Sequence, residues 1–227
     1  MHGTFGTQSI QIDPAILYLG TPVVLIGTTN DDGSTNLAPM SSAWWLGWRC
    51  MLGLSAVSKT TENMLRTGEC VLNLPSADLV GPVDRLARTT GSDPVPSGKL
   101  QRGYRHVKDK FGVSGLTARP GETVAAPCVT ECPVQLEAKV AHVHEMAEDD
   151  DVWRGKSFAI EVRVTRVHAH PGIMMEGEAN RIDPDKWRPL IMSFQEFYGL
   201  TPHKLHRSEL GQIPERLYKP PGWQPKL

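Results

Sequence analysis

The sequence predicts a mainly β protein: a six-stranded antiparallel barrel with short helices between the strands. Three observations predict it. Residues 134–144 and 158–170 alternate apolar and polar side chains with the two-residue period of a strand. Residues 23–29 form a β-branched, apolar run closed by Asn30-Asp31-Asp32-Gly33, a turn whose Asn and Gly tolerate positive φ. The helix signals are short and scattered, which fits a small barrel better than a layered α/β fold.

In chain order, strand 23–29 and the return 34–40 read as a hairpin. Residues 50–57 and 70–75 are two further strands. Between them a short helix is expected over 60–67, with Ser58, Thr60 and Thr61 as caps, Glu62 in its first turn and Gly68 beyond its end. A second helix is expected over 78–88, capped by Asp78, with Pro82 in its first turn where proline is tolerated. Residues 90–127 are rich in Gly, Pro, Ser and Thr and read as a long excursion with one short helix around 104–111. Loops of this length are usually functional or disordered.

In 134–144 one face carries Val134, Leu136, Ala138, Val140, His142 and His144, and the other Gln135, Glu137 and Lys139. In 158–170, Phe158, Ile160, Val162 and Val164 alternate with Glu161, Arg163 and Thr165. Such alternation places one face in a core and the other outside. Acidic residues 148–151 are the expected turn between these strands. The tail from about 202 is polar and Pro-rich, and is expected to lie along a surface or a partner subunit. The whole chain, 1–227, reads as one domain with its core over about 15–200.

Composition narrows the function. The 227 residues are 40% hydrophobic and 22% charged, with a formal net charge of -1. That balance argues against nucleic acid as the main partner, since duplex binders carry a basic excess. No apolar run approaches the length of a membrane span. Residues 1–10 lack the basic-then-apolar pattern of a secretory signal, so a cytoplasmic location is expected. The cysteines, Cys50, Cys70, Cys128 and Cys132, are expected to be free thiols, and the last two are not spaced as a CxxC pair. No GxGxxG follows a strand, Gly91 to Lys99 lacks the Ser or Thr of a P-loop, and His144-Glu145-Met146-Ala147-Glu148 lacks the second His of HExxH. His142 with His144, and His168 with His170, share strand faces and could each hold a metal. They are read here as polar strand ends at the barrel rim, with no metal site expected.

The most informative stretch is 36–63. A strand ends in Asn36-Leu37-Ala38-Pro39-Met40-Ser41-Ser42, where Pro39 removes a ladder donor and the strand is expected to fray, freeing backbone groups for a ligand. A later strand runs into Ser58-Lys59-Thr60-Thr61 at a helix start. Free amides, hydroxyls, one cation and the positive end of the helix dipole make a phosphate cradle. No acid, base or nucleophile set emerges from spacing.

These segments resemble the flavin reductase-like family of FMN-binding split-barrel proteins. The resemblance lies in N-x-A-P-M-S over Asn36 to Ser41, K-x-T-x-N over Lys59 to Asn63, the strand Gly68 to Pro75, and ECPVQLEAKV from Glu131 to Val140. It implies a six-stranded split barrel of the FMN-binding type, with FMN held at a homodimer interface. It implies ring contacts from Asn36, Ala38, Met40, Ser41 and Ser42. For the ribityl phosphate it implies Ser55, Ala56, Val57, Ser58, Lys59, Thr60, Thr61 and Asn63. The family's P-L-x-R-x-G-G-x-x-Y segment corresponds to 189–198, where the Arg and both glycines are missing and Phe194 or Tyr198 is expected near the flavin. Trp44, Trp45 and Trp48 are expected to cover the flavin or build the dimer interface. The activity implied is an NAD(P)H-dependent flavin reductase, with NADH or NADPH as co-substrate and an electron acceptor that the sequence does not name. A flavoredoxin-type electron carrier, a ferric-chelate reductase and a non-catalytic flavin binder are the alternatives.

Overall fold

The computed structural model describes residues 9–219. The main sheet is built from β1 (Val24–Thr29), β2 (Thr35–Met40), β3 (Ala43–Leu46), β4 (Arg49–Ser55), β5 (Glu69–Leu74), β6 (Val134–Glu145) and β7 (Ser157–Ala169). Helix α1 (Lys59–Thr67) joins β4 to β5. The strand order is β2-β1-β5-β6-β7-β4-β3, antiparallel throughout. The two edge strands, β2 and β3, are consecutive in the chain and joined by Ser41 and Ser42 alone, so the sheet must curl until its edges meet. This is a split barrel, as expected, with seven strands in place of six. The additional strand is Ala43-Trp44-Trp45-Leu46. It pairs with β4 through a two-residue turn whose first residue, Gly47, sits at φ 57°, as hairpin turns require. Gly-Trp is a weak turn signal, so local turn chemistry does not mark this strand in the sequence.

Local rules account for α1. The Ser58 hydroxyl accepts the Thr61 amide at 3.1 Å, and Gly68 closes the helix at φ 72° while donating to the Met64 carbonyl. The second helix begins differently from expectation. Asp78 accepts a hydrogen bond from the Ser76 hydroxyl inside a short 3-10 turn, and α2 (Val80–Leu86) starts beyond it with Pro82 in its first turn. The excursion holds α3 (Ser97–Gln101) and α4 (Lys110–Ser114) instead of a helix over 104–111. Gly103 at φ 77° turns the chain out of α3, and Asp109 caps α4 by accepting the Gly112 amide.

The barrel interior is packed by Ile26, Leu52, Leu54, Leu72, Ile160 and Val162. A second cluster of Leu25, Leu37, Val83, Leu86, Phe111 and Leu190 seals the excursion onto the other side of β1 and β2. The first part of β6, residues 134–138, is likewise covered on both faces. Gln135 and Glu137, expected outside, are buried beneath residues 117–129. Asn73 fastens that segment by accepting the Val129 amide at 2.7 Å and donating to the Leu25 carbonyl. Packing is tight here, since a Cβ on Gly27 would stand 2.3 Å from the Pro127 carbonyl oxygen. Gly27→Ala is therefore expected to cost about 2 kcal/mol or more, read as a lower denaturation midpoint, because backbone rather than a flexible side chain must yield.

Residues 146–156 turn between β6 and β7, as the acidic run predicts. All four cysteines are free and buried. The tail over 202–219 is exposed and is tied to the preceding segment by Lys204–Asp185 at 2.6 Å and Arg181–Glu215 at 3.4 Å. The expected tail beyond 219 and the N-terminal stretch 1–8 lie outside the described residues. Among the described residues no helix is long and apolar enough to cross a membrane.

Candidate functional site

A cleft of about 550 Å³ opens where the barrel is split. One wall is the end of β2 with its continuation: Asn36, Ala38, Pro39, Met40, Ser41 and Ser42, backed by Gly53 and Ser55 of β4. The start of α1 contributes Val57, Ser58, Lys59 and Thr60. The facing wall comes from the excursion, with Arg88, Thr89, Thr90, Gly91, Lys99, Arg102, Tyr104 and Lys110. Tyr18, Met192, Gln195 and Phe197 complete the rim.

β2 does not fray at Pro39, contrary to expectation. It stays paired with β1 up to Met40, because Pro39 lies on an edge strand where a missing donor is tolerated. The break comes at Ser41 and Ser42, whose carbonyls accept the Ala43 amide (2.9 Å) and the Gly53 amide (2.8 Å). A Cβ on Gly53 would meet the Ser42 Cβ at 3.0 Å, so glycine lets the two edges close here.

Ten of the thirteen sequence-predicted residues line the cleft: Asn36, Ala38, Met40, Ser41, Ser42, Ser55, Val57, Ser58, Lys59 and Thr60. The other three do not. Thr61 is buried, and its hydroxyl donates to the Ser55 carbonyl and contacts the Ser58 hydroxyl. Asn63 is buried with its amide on Thr28 and Asn30. Ala56 donates its amide to the Lys156 carbonyl. All three hold the strand-to-helix corner in shape. Asn36 also has a structural bond, donating to Thr28 at 3.2 Å and to Thr60 at 3.3 Å, which orients the Thr60 hydroxyl. Lys59 is partly neutralised by Glu62 at 2.7 Å and Asp31 at 3.6 Å, and the bond to Glu62 raises its pKa.

The excursion adds residues that sequence reasoning missed. Lys110 is only 2% exposed yet faces the cleft, hydrogen-bonded to the Thr89 hydroxyl. Among the described residues no carboxylate lies within 4 Å of it. Burial, then Lys99 and Arg105, push its pKa down to about 7. Lys99 donates to Thr90 at 3.3 Å and is depressed by burial and by Arg102. The only sequence signal was the density of Lys and Arg between Lys99 and Lys110; nothing local says that this stretch returns over 36–60.

Several expected neighbours stand elsewhere. Phe194 and Tyr198 are exposed off the cleft, and Met192, Gln195 and Phe197 of the same segment line it. The reason is a short hairpin, Ile191–Ser193 with Glu196–Tyr198, whose turn residues Phe194 and Gln195 both have positive φ. Trp44, Trp45 and Trp48 do not line the cleft; Trp45 packs on the barrel core, and Trp44 faces outward.

The histidines split up. His142 and His144 meet at 4.4 Å with their rings tilted by 53° on the outer end of β6, His170 accepts the Gly172 amide, and His168 donates to Glu137 at 2.8 Å. Cys128, Glu137 and His168 gather within 4.8 Å, but the Glu137 carboxylate is already met by the Glu122 amide and by the amide and hydroxyl of Thr123.

A split barrel whose open end pairs a helix start with a buried lysine free of any carboxylate defines an anion-binding cleft. The chain belongs to the flavin reductase-like family: the flavin reductase like domain matches residues 17–199. It is 39% identical over 191 residues to the protein YdfE of Bacillus subtilis, covering 84% of this chain and 88% of that one. In structure it is similar to flavoredoxin of Desulfovibrio vulgaris, with a TM-score of 0.69 at 20% identity over 90% of this chain and 100% of that one. It is also similar to nitrilotriacetate monooxygenase component B of Bacillus cereus, with a TM-score of 0.69 at 15% identity over 89% and 100% of the two chains. These structural likenesses bear on the fold.

Proposed function

We propose that the chain is an FMN-dependent oxidoreductase that takes hydride from NADH or NADPH. The observation that carries this reading is the carboxylate-free Lys110 buried in the cleft that the α1 start also lines. A buried ammonium with no counter-charge is costly, and a phosphate removes that cost. The donor set suits FMN along its length. Ser58, Thr60, the α1 amides and Lys110 would hold the phosphate. Ala38, Met40, Gly53 and the rim residue Phe197 offer small or apolar surface to a flat ring. Ser41 and Ser42 would donate toward negative charge developing on that ring. The flavin, when bound, supplies the hydride and electron chemistry. The chain's residues bind, orient and shield it, and no side-chain acid or base is needed.

The experiment is an absorbance spectrum of the purified protein, repeated with NADH and with NADPH. A flavin spectrum bleached by either nucleotide is expected. A protein that neither carries nor takes up FMN would overturn the reading, and flavin retained without bleaching would favour an electron carrier.

The active form is proposed to be a homodimer. Trp44 (57% exposed), Leu46 (75%) and Leu19 (74%) leave a large apolar surface without cover. Light scattering is expected to give twice 25.0 kDa; a monomer at micromolar concentration would sink this.

A further inference from the structure

The cleft holds more positive charge than one flavin phosphate requires. Lys110 and the start of α1 suffice for that group. Arg88, Lys99 and Arg102 remain, and among the described residues none lies within 4 Å of a carboxylate. They converge on Tyr104, a cleft residue. The Lys99 ammonium and the Arg102 guanidinium each stand 5.8 Å from its ring centroid. Arg88 lies against the same turn, since a Cβ on Gly103 would be 3.6 Å from its Nη1. Arg88 itself is held at φ 50°, a conformation that costs a non-glycine residue of order 1 kcal/mol and is met where a fold is constrained for a site. The Arg102 Nε is taken by the Gly98 carbonyl, which anchors the guanidinium and leaves its outer nitrogens for a ligand.

Two cations held over an aromatic ring, with a third beside the same turn and no carboxylate on any of them, suit the phosphates of a nucleotide: the ring anchors the cations and they take the charge. We propose that Arg88, Lys99, Arg102 and Tyr104 form a second, nucleotide-binding subsite that holds the phosphorylated adenosine half of the co-substrate. This rests on the flavin reading of the same cleft and goes beyond it by naming the residues that would recognise the second nucleotide. Burial and then Arg102 depress Lys99, and burial and then Lys99 depress Lys110, which supports it, because cations crowded without counter-charge are relieved by an anion.

The test is calorimetric titration of the FMN-loaded protein with adenosine 2′,5′-bisphosphate, ADP and adenosine. The bisphosphate, ADP or both are expected to bind at least about tenfold more tightly than adenosine. Preference for the bisphosphate marks a 2′-phosphate as the group recognised, and preference for ADP marks a pyrophosphate. Lys99→Ala with Arg102→Ala is expected to lose at least about tenfold for the preferred nucleotide, and the exposed single change Arg102→Gln several-fold, with Arg102→Lys recovering part of the loss. Equal affinity for all three probes, or undiminished affinity in the variants, overturns the proposal. Because titration reads binding rather than turnover, the two readings fail separately. FMN loading without nucleotide preference removes the subsite alone; failure to load FMN removes the flavin assignment.

Discussion

Lys110→Met is expected to weaken FMN binding at least about a hundredfold, roughly 2.7 kcal/mol, and to raise the unfolding temperature of the FMN-free protein. The two effects share one cause. Lys110 is enclosed, lacks a carboxylate and is crowded by Lys99 and Arg105, so its charged form strains the fold until an anion arrives. Methionine fills a similar volume with no charge to bury. The pH dependence follows from the sign of the shift. The folded pKa of about 7 lies below the ordinary 10.5, so the unfolded chain binds more protons between those values. Stability of the FMN-free protein should rise with pH across that window, and FMN affinity should fall as Lys110 loses its proton. Lys59→Ala should matter less, about tenfold, because Asp31 and Glu62 already offset that charge. Fluorescence titration of FMN with the two variants at several pH values checks all of this. Unchanged affinity in Lys110→Met would remove Lys110 from the site.

Glu137→Ala is expected to lower the unfolding temperature by roughly 6–12 °C, from a loss of about 3 kcal/mol at 2–4 °C each. Glu137 is fully buried and accepts from the Glu122 and Thr123 amides, the Thr123 hydroxyl and His168. Burial pushes its carboxyl up, but these donors outweigh burial and hold it at about 2. Alanine would leave them unanswered and release the segment 117–129 that covers β6. The linkage sign is opposite to that of Lys110. The folded pKa lies below the ordinary 4.5, so this contribution is present above 4.5 and lost as pH falls toward about 2. Thermal melts of wild type and Glu137→Gln across that range check it. Glu137→Gln should show a flatter acid limb, since an amide has no charge to lose. An unfolding temperature unchanged in Glu137→Ala would show that the carboxylate does not pin the excursion.

How much of this was legible depended on sequence distance. Ser58 and Gly68 mark the ends of α1 through contacts three or four residues long, so both caps read directly. The cradle of Ser58, Lys59 and Thr60 was visible for the same reason, since hydroxyls and a cation at a helix start act locally. Thr61 and Asn63 share that segment but turn inward, and only their partners Ser55, Thr28 and Asn30 reveal it.

By itself, then, the sequence determined the barrel class, the long alternating strands, the capped helix and one half of the cleft, each encoded in a short window by periodicity, turn chemistry or capping. Tertiary structure alone decided that Ala43–Leu46 joins the sheet as its edge, that Glu137 is covered, and that Lys110, Lys99 and Arg102 face the segment 36–60. The physical reason is common to all three. Pairing, burial and charge crowding depend on which distant segment packs against a residue, and the chain must fold back before any of them has a value.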